Sequence, residues 1–272
     1  MEISAIPQES ISGMLFTAAV GITLPFVLLF FARIKLKAKY SAFFIGCVTY
    51  ICAVLFLKAF FTGLMIKLTN GVIRDNLMLY ALFSGVTAAL FEEFGRYVSL
   101  RYWMKNSLAK ENAVMYGIGH GSIYSVAVVG LSYVANITLA DAVNSGRMTE
   151  ILAGLTAEEA GSYRESLQKL AEAVSSDFYV AGIEQFYSLA LQIVLSYLIY
   201  RSIRDNDYRM IVTAILLHFM MEFTTIMLSQ ILPIMTVEAI LIVIAVALVA
   251  VMVKFYKQEP AMEKSFQIKK SK

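Results

Sequence analysis

In a chain of 272 residues, 59% are apolar, only 16% are charged, and the mean hydropathy is +0.69. Soluble domains carry about 25% charged residues, so an ordinary soluble enzyme is excluded. The net charge of +3 and the pI near 8.7 trace to short basic loops and require no nucleic acid.

A membrane-spanning helix needs about 20 mostly apolar residues, and seven stretches qualify. The first, 12–32, has no basic residue before it and is too long for a signal-peptide core. Pro25 is expected to kink it. The second, 42–66, carries Cys47 and Cys52 in mid-span, which predicts buried free thiols rather than a disulfide or a zinc knuckle. The third, 77–101, carries Phe91-Glu92-Glu93-Phe94-Gly95-Arg96, with Tyr97, Tyr102 and Trp103 marking its inner interface. The fourth, 112–137, carries Gly117 and Gly119-His120-Gly121.

An acidic insertion follows at 138–177. Thr156-Ala157-Glu158-Glu159 reads as a capping box, and Ala160, Tyr163, Leu167, Leu170, Ala171 and Val174 share one apolar helical face. This predicts an amphipathic helix resting on the outer ends of the spans, with a lid or substrate-docking role as the alternative. The fifth span, 178–200, contains Gln192, and Glu184 close to the outer surface in a structural role. The sixth, 210–231, contains Leu217-His218-Phe219 and Glu222, and a turn at Leu232-Pro233 leads into the seventh, 234–254. A basic tail, 255–272, ends the chain.

With no water to satisfy the backbone in lipid, these spans must be helical. The expected fold is all-α: a polytopic transmembrane helix bundle of about seven spans plus an extracytoplasmic helical insertion. The whole chain, 1–272, reads as one integral-membrane domain.

Alternate connections are basic. Arg33, Lys35, Lys37 and Lys39 lie in one, Arg101, Lys105 and Lys110 in the next, and Arg201, Arg204 and Arg209 in a third. The positive-inside rule then places the N-terminus outside and the C-terminus in the cytosol of a cell membrane. Anionic membrane lipids are natural partners of the basic tail.

Loop charge also fixes depth. At about 1.5 Å per residue, Glu92 lies about 13 Å below the inner surface, and His120 and His218 about 12 Å. Gln192 falls in the same layer, with Glu222 one turn above His218. His120 and His218 are the two histidines of the chain. Ionisable groups in hydrocarbon cost about 2.5–3.5 kcal/mol each, which predicts one polar pocket in the inner half of the bilayer. Either glutamate can meet Arg96 at helical spacing. Glu92 and Glu93 point about 100° apart, so one is expected in the pocket and the other paired with Arg96. Glu222 is placed to fix the tautomer of His218.

Such a set suits amide hydrolysis. A glutamate can activate water while imidazoles stabilise an oxyanion. Alternatively, His120, His218 and Glu92 could hold Zn²⁺ with a position open for water. A nonenzymatic scaffold or immunity-type binding protein, and a small-molecule or ion transporter, use buried polar groups as well.

The three segments Glu92-Glu93-Phe94-Gly95-Arg96, Gly117-Ile118-Gly119-His120-Gly121 and Leu217-His218-Phe219-Met220-Met221-Glu222 resemble the motifs of the YhfC-type intramembrane proteases. That family is similar to the wider CAAX-protease and bacteriocin-processing (CPBP) group. The resemblance spans roughly 77–230. It implies a bacterial membrane peptidase of metallo- or glutamic type, acting on a membrane-associated or lipidated substrate. Glu92 or Glu93 would be the base, His120 and His218 its partners, and Arg96 and Glu222 further members of the site. The chain departs from the pattern in three places. Two residues, not three, separate the glutamates from Arg96; Tyr124 stands where a glutamate is usual; and Glu222 replaces Asp or Asn.

Overall fold

A computed structural model describes residues 4–259, without the side chains of Thr149 and Glu150. Glu2 and the tail beyond Glu259 lie outside the described residues. The fold is all-α and polytopic, with no strand among the described residues.

Seven helices are long and apolar enough to cross a membrane. They are α1 (Gln8–Lys35), α2 (Tyr40–Leu68), α3 (Leu77–Trp103), α4 (Lys110–Asn144), α7 (Ser175–Asp205), α8 (Arg209–Leu228) and α9 (Ile234–Gln258). Two short helices, α5 (Met148–Leu152) and α6 (Ala157–Glu172), lie between α4 and α7. Each predicted span is present, mostly extended by a few residues at its ends. The fourth gains most: α4 continues to Asn144, into the first residues of the stretch read as the insertion. The helix α1 runs unbroken through Pro25.

Three helices contain π-helical stretches: Ile51–Lys58 in α2, Ser99–Trp103 at the end of α3, and Tyr124–Gly130 in α4. A π turn bonds i to i+5, which inserts one residue and moves the following side chains to a new face.

The chain divides into two compact units. One comprises residues up to Leu24 and Tyr124–Phe186. Its core joins Ile6, Met14, Ala140, Leu170 and Phe178. The Asn144 side chain bonds both backbone groups of Ile6, at 2.8 and 2.9 Å, and Thr17 donates to the Phe178 carbonyl. Ser125 donates to the carbonyl of Gly21 at 2.9 Å.

The helix α6 belongs to this unit and opens with the predicted capping box. The Thr156 side chain accepts from the Glu159 amide at 3.3 Å, and the Glu159 carboxylate accepts from the Thr156 amide at 2.9 Å. The bonds that the Thr156 amide and hydroxyl donate to the Glu159 carboxylate hold it below its ordinary pKa, so their contribution is lost as pH falls through that lowered value. Ala160, Leu167 and Leu170 are buried as expected. Tyr163 and Val174 are exposed instead: Val174 lies beyond the end of the helix, and Tyr163 sits at the rim of its apolar face. Thr156→Ala is expected to cost about 0.5–2 kcal/mol of local helix stability. Faster hydrogen exchange at the amides of Glu159 and Ala160, with the spans unaffected, would register it.

The second unit comprises Pro25–Ile123 and residues from Tyr187 onward. Its core includes Phe43, Leu100, Met115, Tyr116, Ile118, Tyr197 and Ile199. Glycines set its helix spacing. A Cβ at Gly46 would strike the carbonyl oxygen of Tyr116, and one at Gly119 would strike that of Phe43, so α2 and α4 touch backbone to backbone. Gly117 and Gly121 face α7, against Ile193 and Gln192. Gly85 receives the ring of Phe219 from α8. At the other end of α9, Lys110 donates to the carbonyls of Tyr256 (2.9 Å) and Glu259 (2.5 Å), taking up terminal acceptors that the helix leaves open.

The cysteines depart from expectation. Cys47 is half-buried and donates to the Gly119 carbonyl at 3.2 Å, whereas Cys52 is exposed on the outer face of α2. Both are free thiols.

Candidate functional site

Every group of the site lies in the second unit. Helix α3 supplies three, because residues three and four apart share a helical face. Arg96 donates to Glu93, and its other terminal nitrogen lies 3.4 Å from Glu92 Oε2. The same nitrogen donates to the side-chain oxygen of Gln192 on α7. Arg96 is fully buried, and Glu93 nearly so at 1% exposure.

Two imidazoles close on these carboxylates from other helices. From α4, His120 Nε2 lies 3.2 Å from Glu92 Oε2. From α8, His218 Nδ1 lies 2.7 Å from Glu93 Oε1, and its Nε2 lies 3.8 Å from Glu92 Oε1. Tyr50 meets the His120 ring edge-on with centroids 5.2 Å apart, and Tyr116 stacks on it at 6.0 Å. The ring is thus held in one plane by aromatic packing.

The layer predicted by counting residues from the inner loops is a contact cluster: Glu92, Glu93, Arg96, His120, His218 and Gln192 all meet. Two details differ from expectation. Both carboxylates face imidazoles. His218 has a nitrogen on each side of its ring, so one ring bridges neighbours that diverge around their own helix. The expected His218–Glu222 pair does not form, because Glu93 takes Nδ1. Glu222 is half-buried and makes no ion pair with the described residues.

Sequence reasoning missed one member. Lys58, the last residue of the π stretch in α2, places Nζ 4.0 Å from Glu92 Oε1. The signal was present. Lys58 stands ten residues from the nearer end of its span, farther than a lysine stem reaches to snorkel out. It had to find a partner inside.

Tautomers follow from the contacts. Glu93 is an acceptor, so His218 carries a proton on Nδ1 and, when neutral, turns the lone pair of Nε2 towards Glu92. His120 Nδ1 has no hydrogen-bond partner while Nε2 faces a carboxylate, so Nε2 is the donor. Counting full charges, Glu92 and Glu93 balance Arg96 and Lys58, and such balance is what makes burial tolerable.

A carboxylate–imidazole pair that aims the opposite ring nitrogen at a site is the usual support of a metal ligand. Zinc ligands at about 2.0–2.1 Å stand about 3.3 Å apart around a tetrahedron. The separations of 3.2 and 3.8 Å from Glu92 to the two Nε2 atoms run from different oxygens of its carboxylate, Oε2 and Oε1. The donor types, two imidazole nitrogens and a carboxylate, are those zinc takes, but among the described residues no three such side chains surround a common point.

Seven apolar helices and a buried, charge-balanced cluster of acid, imidazole and guanidinium groups define an integral membrane protein with an intramembrane polar site. The chain belongs to the YhfC intramembrane metalloprotease family, which matches residues 20–248. It is 26% identical over 220 residues to the uncharacterized membrane protein YhfC of Bacillus subtilis (strain 168), covering 78% of this chain and 83% of that one. No solved structure matches it.

Proposed function

We propose that this chain hydrolyses a peptide bond of a membrane-associated or lipidated substrate near the cytosolic face, with Glu92 as the base. The supporting observation is a carboxylate in hydrocarbon flanked by two imidazole Nε2 atoms. Glu92 is the member of the pair that both imidazole Nε2 atoms approach, at 3.2 and 3.8 Å, whereas Glu93 is taken up by Arg96 and His218 Nδ1. Glu93 is a positioning residue: it fixes the tautomer of His218 and anchors Arg96.

In the reaction, a water O–H proton passes to Glu92 while the oxygen bonds to the scissile carbonyl carbon. The C=O electron pair moves onto oxygen. The C–N bond then breaks as Glu92 returns the proton to the leaving amine. Burial in a low-dielectric layer strengthens each of these charge interactions. In the alternative, metal-dependent form of the site, His120, His218 and Glu92 are the residues that would hold zinc, and Glu92 is the free base only in the metal-free form. When bound, zinc supplies Lewis-acid polarisation of the carbonyl and acidifies water. The basic loops orient the site layer towards the cytosol, with the N-terminus outside.

Profiling of protein N-termini in membranes from cells expressing the chain, or Glu92→Gln at equal level, tests the reading. New termini near the cytosolic ends of membrane segments are expected, and only with the unaltered chain. The same set of termini from both proteins would defeat the proposal.

A further inference from the structure

The half-buried Lys58 carries a further role. The span from Tyr40 to Leu68 would, as an uninterrupted α-helix, turn Leu57 inward after Ala53 and Val54. The π stretch Ile51–Lys58 inserts one residue of advance. Leu57 is accordingly 58% exposed, while the Lys58 side chain is 24% exposed and directed at α3. Helical side chains lean towards the N-terminus of their helix, which carries the Lys58 ammonium down to the layer of Glu92.

Its bonding differs from that of the other cation. Arg96 is fully buried and spends its terminal nitrogens on Glu93, Glu92 and Gln192. Lys58 approaches Glu92 Oε1 only to 4.0 Å, beyond hydrogen-bond range, and makes no hydrogen bond with the described residues. Three N–H donors with a full charge therefore stand beside the base, uncommitted and partly open. The imidazoles are poorer candidates for an oxyanion. The donor of His120 is turned to Glu92, and neutral His218 presents a lone pair there.

We infer that Lys58 is a catalytic residue whose ammonium receives the carbonyl oxygen of the scissile bond and stabilises the oxyanion formed when water, deprotonated by Glu92, attacks. The inference rests on the hydrolytic reading of the site. The lysine keeps its proton throughout: the carbonyl π pair becomes the oxyanion lone pair, the ammonium binds it, and collapse returns the pair to the carbon. The substrate is thereby required to bring an acceptor oxygen, not a cation, to the Lys58 ammonium.

Decylphosphonate, a tetrahedral anion that partitions into micelles, provides a probe independent of cleavage. Binding to the full-length protein in detergent should weaken by about tenfold to a hundredfold in Lys58→Met, the loss of one charge-assisted hydrogen bond. Lys58→Arg should retain most of the affinity, and Lys58→Gln serves if the methionine variant does not fold. On a peptide spanning a cut found by the terminus profiling, kcat should fall by about a hundredfold or more in Lys58→Met with KM nearly unchanged. Equal decylphosphonate affinity in the unaltered protein and both neutral variants, or no binding to any, would overturn the role of Lys58. Loss of new termini in Glu92→Gln alongside full turnover in Lys58→Met would remove this inference and leave the hydrolytic reading standing. Indifference to Glu92→Gln would remove that reading itself.

Discussion

Arg96→Met should be the most destabilising single change in the site, by about 3–5 kcal/mol. The guanidinium has no exposure and joins three partners on two helices: Glu93, Glu92 and Gln192. Methionine fills much the same volume but leaves Glu93 with His218 alone and Glu92 short of a cation. The penalty arises chiefly from carboxylates left buried without compensation, not from the lost attraction itself. Two corollaries follow. Arg96→Lys keeps the charge but not the fork, so its loss should be intermediate. The double variant Arg96→Met/Glu93→Gln should recover part of the loss, because it removes one of the stranded charges. Thermal unfolding in detergent reads all three, and an unchanged midpoint in Arg96→Met would show that the guanidinium does not hold these helices.

Gly119→Val should damage both stability and turnover through the backbone rather than through any charged group. A Cβ at 119 would meet the Phe43 carbonyl oxygen, with the carbonyl carbon at 2.7 Å and Cα at 2.9 Å. These atoms belong to a helix backbone and cannot rotate away. The helices α2 and α4 must separate, and Gly46 opposite, whose own Cβ would lie 2.8 Å from the His120 amide, offers no slack. Overpacking of this kind costs about 1–3 kcal/mol or more. Separation also draws His120 off Glu92, now 3.2 Å away, and a displacement of about 1 Å can cost about a hundredfold in rate. Gly63→Ala is the control. Nothing lies within 4 Å of its Cβ, so an exposed helical alanine should be neutral or stabilising by about 0.5–1 kcal/mol. Parallel loss in both variants, seen in melting temperature, would mean that the helices tolerate no substitution of glycine anywhere rather than that the crossing is tight.

The spans were legible because lipid leaves the backbone a single solution, and apolar runs of sufficient length declare it. The cap at Thr156 was legible because its bonds are local, within four residues. The layer of Glu92, His120, His218 and Gln192 was legible because loop charge sets direction and helical rise sets depth. Depth, however, is one coordinate of three. Rotation about each helix axis depends on neighbours distant in sequence, so the bridging of Glu92 and Glu93 by His218, and the detachment of Glu222, could not be counted out. Lys58 stayed hidden for a related reason: its direction depends on a π turn, and a one-residue change in helical phase leaves no mark in an unbroken apolar run. Composition and periodicity determined that this protein spans a membrane with acids and imidazoles at one level. Tertiary packing decided which of them touch, because glycine crossings and π turns fix the azimuth of a side chain that sequence fixes only in height.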